Sequence, residues 1–425
     1  MTLKSLGGKA LAAVAGTGAI LAMASCGVSN TIDYLYVASS KLNPGQINVY
    51  RVDSLSGALT QIPNSPYPTI GRNPVGVVAS PNGKNLYVIN HDDNTLVEFG
   101  IGTDAKLYPG SQYTTPGSEP TAIAISHDGT QLYVVDNYQP SYTDLNPGPG
   151  ALVVYPINSD GTLGTPVPQT VGNQQLAYYP LETTPSAISA LANGQAVFVT
   201  ETLNSSASAA CTTGGQGGLE ALAITPGASG GAITPITGSP FCAGVTLSSV
   251  ATDPASRFLY VTDSAQNQLV GFNLVYAGNG SGTNSAAPPE TIQPFVGGPI
   301  PAGTSPSNIT IDPRGLYMYV TNFYSNSISG YAINTTTGIP SSTAPGNYTV
   351  GAHPQCVIVE PALGRFVYIT AFADNNVYGY KLNPNTGVLT GTQNSPYITS
   401  GQPTCLAAVT HGNHPVIEDP STPAP

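Results

Sequence analysis

Charge is what this 425-residue sequence has least of: 8% of its residues are Asp, Glu, Lys or Arg. Lys and Arg number 11 against 22 acids, giving a formal net charge of −11. No basic patch can then offset phosphate repulsion, which disfavours nucleic acid and an anionic lipid surface as partners. Past the N-terminal stretch, no run approaches the ~20 apolar residues of a membrane span. The five Cys contain no Cys-x-x-Cys pair, and no two of the five His share a metal-ligand spacing, so no metal or cofactor is expected. No Gly-x-Ser-x-Gly nucleophile elbow occurs, and the run Gly214-Gly215-Gln216-Gly217-Gly218 is not followed by the Lys-Ser/Thr of a phosphate loop.

Gly (48) and Pro (39) are plentiful instead, within a chain that is 40% hydrophobic. That combination suits an all-β protein with many turns and a large core. The stretch Pro306 to Asn322 shows how it is built. Ile309 and Ile311 alternate with polar residues, Asp312-Pro313-Arg314-Gly315 makes a tight turn, and Tyr317 to Thr321 supplies a second strand. The second strand recurs at Tyr34–Ala38, Leu86–Asn90, Leu132–Asp136, Val197–Glu201, Leu259–Asp263, Met318–Asn322 and Val367–Ala371. A third strand, patterned apolar-x-x-aromatic-x-apolar, follows each, and then a Gly-rich turn and a short fourth strand. The first strand follows Pro74, Pro120, Pro185, Leu247, Pro306, Pro354 and Pro403. The chain thus begins on a second strand and ends on a first strand, Thr404–Val409. Pairing the two removes both unpaired edges, so the arithmetic predicts a seven-bladed β-propeller with four antiparallel strands per blade, closed by the C-terminal strand on the N-terminal blade.

The chain divides accordingly. Lys4 and Lys9 precede the apolar stretch Ala10 to Ala24, and Met23-Ala24-Ser25-Cys26 resembles a bacterial lipobox. Residues 1–25 therefore read as a lipoprotein-type signal peptide, Cys26 as the lipidated residue, 26–32 as a tether, 33–411 as the propeller and 412–425 as a disordered tail. Insertions fall at 137–150, 202–218 and 276–303, the last reading as mobile.

Tyr319-Val320-Thr321-Asn322 spells YVTN, and Asn64-Ser65-Pro66-Tyr67, Gly238-Ser239-Pro240-Phe241 and Asn394-Ser395-Pro396-Tyr397 repeat a Ser-Pro-aromatic connection. Residues 31 to 411 are similar in these motifs to the YVTN-type, lactonase-like propellers related to 6-phosphogluconolactonase. The resemblance implies a propeller fold and, in the enzymes, a Pro-Arg-His signature at the start of a first strand with further Arg and Glu at the mouth. Here the matching triplets are Pro74-Val75-Gly76, Pro120-Thr121-Ala122, Pro185-Ser186-Ala187, Leu247-Ser248-Ser249, Pro306-Ser307-Asn308, Pro354-Gln355-Cys356 and Pro403-Thr404-Cys405. Lactone hydrolysis needs a base to activate water and donors for the oxyanion, and these positions supply neither. No catalytic residue is assigned, and whether the chain is an enzyme stays open.

Candidate sites follow from the repeat. Four Cys remain beyond Cys26, and in an exported protein the expected pairs are Cys211–Cys242 and Cys356–Cys405, with zinc as the alternative. Most second strands end in a polar residue: Ser39, Asn90, Asp136, Glu201, Asp263 and Asn322. Asp136, Glu201 and Asp263 would offer oxygens at the mouth, or each would bond its own turn backbone. Phe323 and Phe372 lie on neighbouring loops, where aromatics beside polar groups suit a carbohydrate or protein partner. Tyr36, Tyr87, Tyr133, Tyr260, Tyr319 and Tyr368 recur at one strand position and read as packing between blades. The expectation is a lipid-anchored cell-envelope binding module with a ligand at Asp136, Glu201, Asp263, Phe323 and Phe372; the alternative is a lactonase with displaced catalytic groups.

Overall fold

The computed structural model describes residues 30–203, 217–227, 230–279 and 287–412. These form seven antiparallel blades of a propeller. The inner strands are Pro74–Ala79, Ser118–Ile125, the latter part of Tyr179–Ala190, Leu247–Thr252, Pro306–Ile311, Pro354–Val359 and Pro403–Thr410. Each lies against the next around the hub, and Pro403–Thr410 lies between Pro354–Val359 and Pro74–Ala79. The ring closes as the missing-strand arithmetic requires. Thr31–Ser39 pairs with Gln46–Asp53 on one side and Pro403–Thr410 on the other, Tyr36 opposite Ala407 and Val37 opposite Leu406.

Second strands such as Asn85–Asn90, Phe258–Asp263 and Tyr317–Asn322 are buried along their whole length. Each is flanked by strands within its sheet and by blades on both faces, so it reads as a continuous apolar run. The recurring Tyr does more than pack. Tyr36 Oη donates to Ala105 O (3.2 Å), Tyr87 to Gly161 O (2.8 Å), Tyr260 to Gly338 O (2.6 Å), Tyr319 to Gly387 O (2.7 Å) and Tyr368 to Gly57 O (2.8 Å). Every acceptor is a left-handed residue in the third-to-fourth turn of the following blade. Tyr368 carries this link from the seventh blade to the first.

The Ser-Pro-aromatic connection also gains a physical reason. Ser65, Ser239 and Ser395 hydroxyls accept the backbone N–H of Val49, Ala221 and Gly379 at 2.8, 2.9 and 3.0 Å. The peptide to the following Pro is cis, and Tyr67, Phe241 and Tyr397 then pair with Ile47, Leu219 and Val377 of the third strand. A short outer strand is thereby extended without a continuous ladder.

The third and fourth blades depart from the repeat. Tyr179–Ala190 runs through both, with Tyr179 and Pro180 opposite Leu152 and Ala151, then Pro185 opposite Glu201. Tyr138 lies at the end of strand Gln131–Tyr138 and is buried. Tyr138 and Tyr179 are therefore strand residues.

Candidate functional site

Two mouths open on the hub. The upper is built from second-to-third-strand loops and the connections leading into each inner strand. The lower is ringed by first-to-second-strand turns and holds a cavity of about 920 Å³ lined by Pro81, His127, Pro254, Pro313 and Pro361 among others.

At the upper mouth, Asp136, Glu201 and Asp263 all have zero exposure. Asp136 Oδ2 accepts the N–H of Gly117 (2.9 Å), and Glu201 Oε1 that of Glu182 (2.8 Å). Asp263 accepts those of Val245 (2.9 Å) and Thr246 (3.1 Å). Asn322 does the same for Gly303 (3.0 Å). In each case the side chain at the end of the second strand pins the connection just before the inner strand of its own blade. Each of these carboxylates is thus buried and accepts backbone N–H groups of its own blade. Burial pushes the Asp136 carboxyl up to about 8. Burial and then the charge of Glu220 push Glu201 up to about 9, and burial pushes Glu220 up to about 7. Among the described residues no three His, Cys, Asp or Glu side chains converge as a metal site.

Phe323 and Phe372 remain at the surface of this mouth, half-buried. Phe323 N–H donates to Ser305 O (2.8 Å) and Phe372 N–H to His353 O (3.0 Å), which fixes both beside the hub. The Phe323 ring stacks on His353 with centroids 4.4 Å apart and planes 12° apart. Tyr324, 68% exposed, meets Phe323 edge-on at 5.1 Å. The sixth and seventh blades thus carry an aromatic surface.

Across the ring, the second and third blades bring together side chains that are far apart in sequence. His91 Nδ1 lies 2.9 Å from Asp92 Oδ1, and His91 Nε2 lies 3.7 Å from Glu119 Oε2. Asn137 Nδ2 donates to Glu119 Oε2 (3.2 Å) and Asn73 Nδ2 to Asp92 Oδ1 (3.0 Å). The Asn73 donor, and then His91, hold the Asp92 carboxyl below its usual range. A signal for this cluster exists in the repeat. Glu119 immediately precedes Pro120, His91 immediately follows strand Asn85–Asn90 and Asn137 lies near the end of strand Gln131–Tyr138, where the loops must meet.

Glu119 sits at φ 55°, and Asn73, Thr184, Ser305, His353 and Gln402 share that left-handed backbone before their inner strands. Such a conformation is uncommon outside Gly and needs support. Asn94, Asn267, Asn326 and Asn375 supply it, their Oδ1 atoms accepting the N–H of Glu119 (2.7 Å), Ser305 (2.7 Å), His353 (3.0 Å) and Gln402 (2.9 Å). These Asn are left-handed themselves, a conformation Asn tolerates well.

Inside the hub, at four of the seven inner strands the residue after the leading Pro or Leu is a stitch. Ser186 Oγ donates to Leu247 O (2.8 Å), Ser248 to Pro306 O (2.6 Å), Ser307 to Pro354 O (2.8 Å) and Thr404 to Pro74 O (2.7 Å). One position on, Asn308 Oδ1 accepts the N–H of Val357 (3.1 Å). Cys356 and Cys405, expected as a disulfide, are two free thiols with Sγ atoms 3.0 Å apart. Cys242 lies in strand Phe241–Gly244, and Cys211 lies outside the described residues, as do Cys26, the segment read as signal peptide and residues 413–425.

Residues 33–177 and 288–408 match the family model described as lactonase, 7-bladed beta-propeller. The fold is similar to that of a putative 6-phosphogluconolactonase from Bacteroides fragilis (TM-score 0.64, 16% identity, covering 90% of this chain and 99% of that one). It is also similar to the periplasmic gluconolactonase of Pseudomonas aeruginosa (TM-score 0.65, 20% identity, 90% and 100%). A putative 6-phosphogluconolactonase from Bacteroides uniformis gives a TM-score of 0.66 at 17% identity, over 89% and 100% of the two chains. No curated protein matches the chain in sequence.

Proposed function

The chain belongs to the lactonase family of seven-bladed propellers, and from that premise we propose that it serves as an exported, lipid-anchored module that binds a ring-shaped polar ligand, of carbohydrate type, at the upper mouth. The observation that carries this reading is the pairing of surfaces there. Phe323, Tyr324 and His353 offer an aromatic face, on which the C–H face of a sugar ring can lie. His91, Glu119 and Asn137 offer hydrogen-bonding groups on the opposite arc. Hydrolysis is not the primary proposal, because the hub hydroxyls of Ser186, Ser248, Ser307 and Thr404 are already donated to the neighbouring blade.

Calorimetric titration with neutral mono- and oligosaccharides checks the reading. Binding is expected, and Phe323→Ala and Tyr324→Ala are each expected to weaken it by about tenfold, the loss of roughly one stacked contact. Absence of any saccharide binding would remove it. A second reading is favoured by the placement of His91 between two carboxylates, an arrangement that can activate water. Under it, aldonolactones are opened, and His91→Ala abolishes turnover whereas Phe323→Ala mainly raises KM.

The anchor rests on the residues preceding Cys26. Fatty-acid labelling of the exported protein is expected at Cys26 and to vanish in Cys26→Ser, with release from the membrane fraction. Membrane retention of the unlabelled variant would refute it.

A further inference from the structure

The two thiols in the hub are not used by the binding reading, and their placement is asymmetric. Cys356 stands third in inner strand Pro354–Val359, and Cys405 third in Pro403–Thr410, so the pair bridges two separate blades. Their Sγ atoms are 3.0 Å apart. In a disulfide the two would stand about 2.05 Å apart. Cys356 is buried, whereas Cys405 is half-buried. At the same offset the other inner strands carry Gly76, Ala122, Ala187, Ser249 and Asn308, none of which can react in this way. The closing strand is also the one segment that reaches the rest of its blade only by pairing, not by a short turn.

We infer that Cys356 and Cys405 form a redox-closable clasp, in which a small hydroperoxide oxidises Cys405 and Cys356 resolves the product to a disulfide joining the seventh blade to the closing strand. In the first step the Cys405 thiolate attacks a peroxide oxygen. The O–O bond breaks, hydroxide (or alkoxide) leaves, and Cys405 becomes a sulfenic acid. In the second step Cys356 Sγ attacks Cys405 Sγ. The S–O bond breaks, the hydroxyl leaves as water with the Cys356 proton, and the S–S bond forms. The two sulfurs together lose two electrons, and the peroxide gains them. The shared hydrogen between the thiols favours this order, since it holds the Cys405 thiol down and the Cys356 thiol up, leaving Cys405 as the nucleophile.

The consequence is a ring whose closure is non-covalent when reduced and covalent when oxidised. The clasp spans 49 residues of sequence, so oxidation removes freedom from the unfolded chain. The test does not depend on any ligand at the upper mouth. The full chain is treated with hydrogen peroxide, alkylated and mapped by peptide mass spectrometry. The expected result is a peptide pair linked through Cys356 and Cys405, a higher denaturation midpoint, and reversal of both by a thiol reductant. In Cys356→Ser, a dimedone-type probe is expected to label Cys405, whereas Cys405→Ser leaves Cys356 unlabelled. Quantitative alkylation of both thiols after peroxide would overturn the proposal. Labelling of Cys356 in the Cys405→Ser variant would overturn the assigned order.

Discussion

A chain ending at Gln402 will fail to fold, although it retains the second, third and fourth strands of the first blade and every strand of the other six. Removing Pro403–Thr410 strips the inner edge from Thr31–Ser39, whose seven paired positions from Asp33 to Ser39 lose their partners. It exposes contacts of Leu406, Ala407 and Val409, all buried, and it deletes the Thr404 bond to Pro74 O. Two large apolar side chains are worth about 2 kcal/mol each, and the ladder bonds about 1 kcal/mol apiece. The sum, on the order of 10 kcal/mol, equals the whole stability of an ordinary domain. Size-exclusion chromatography and far-ultraviolet circular dichroism are expected to show aggregation or an unfolded chain. A permuted chain that places residues 403–412 ahead of Thr31 is expected to fold, because Asp33 already faces Thr410 and a short turn can join them. A truncated chain that melts like the full-length protein would refute closure as the source of stability.

The second large effect is a loss of stability as pH rises from about 5 to about 9. In Asp136, Glu201 and Glu220 burial raises the folded-state value to about 8, 9 and 7 respectively. Asp33 and Glu360, buried at the joint between the closing blade and the seventh, are raised too, Asp33 by burial and then by Glu360, and Glu360 by burial. The unfolded chain releases these protons near pH 4, so between there and the folded values the folded state holds more protons. Stability therefore falls with rising pH across that window. Each tenfold difference in proton affinity between the folded and unfolded chain corresponds to about 1.4 kcal/mol, and water admitted on ionisation reduces the total. A net effect of about 5 kcal/mol lowers the melting temperature by roughly 5 °C in a domain of this size. Asp53, Asp92 and Asp128 have the opposite sign. Their hydrogen bonds hold them low, so their contribution is lost only as pH falls below about 4. Melting curves from pH 4 to 9 are expected to peak near pH 5. Asp136→Asn and Glu201→Gln are expected to flatten the alkaline side, since Asn90 and Asn322 already occupy the equivalent position in other blades. A flat profile in the unaltered protein would contradict the burial argument.

Much of the fold was legible because each blade repeats the same short-range signals. The Pro that leads an inner strand, the Asp-Pro-x-Gly turn and the buried second strand all lie within about twenty residues of one another. The same locality explains what was missed. From sequence, Asp136 and Glu201 read either as oxygens at a rim or as side chains bonding their own turn backbone, and nothing nearby in the chain says that Gly117 and Glu182 are the groups whose N–H they accept. His91 and Glu119 looked unrelated, being 28 positions apart, until adjacent blades placed their loops side by side. The aromatic residues divided in the same way. Phe323 and Phe372 stay at the mouth, whereas Tyr138 is drawn into a strand and buried.

The sequence by itself determined the number of blades and where the ring shuts, since both follow from counting a periodic pattern and noting which strand each terminus lacks. Only the tertiary structure decided which polar groups are free to act. A hydroxyl, carboxyl or thiol is spent or available according to what lies within about 3 Å of it, and in a wheel of stacked sheets that neighbour belongs, as often as not, to another blade.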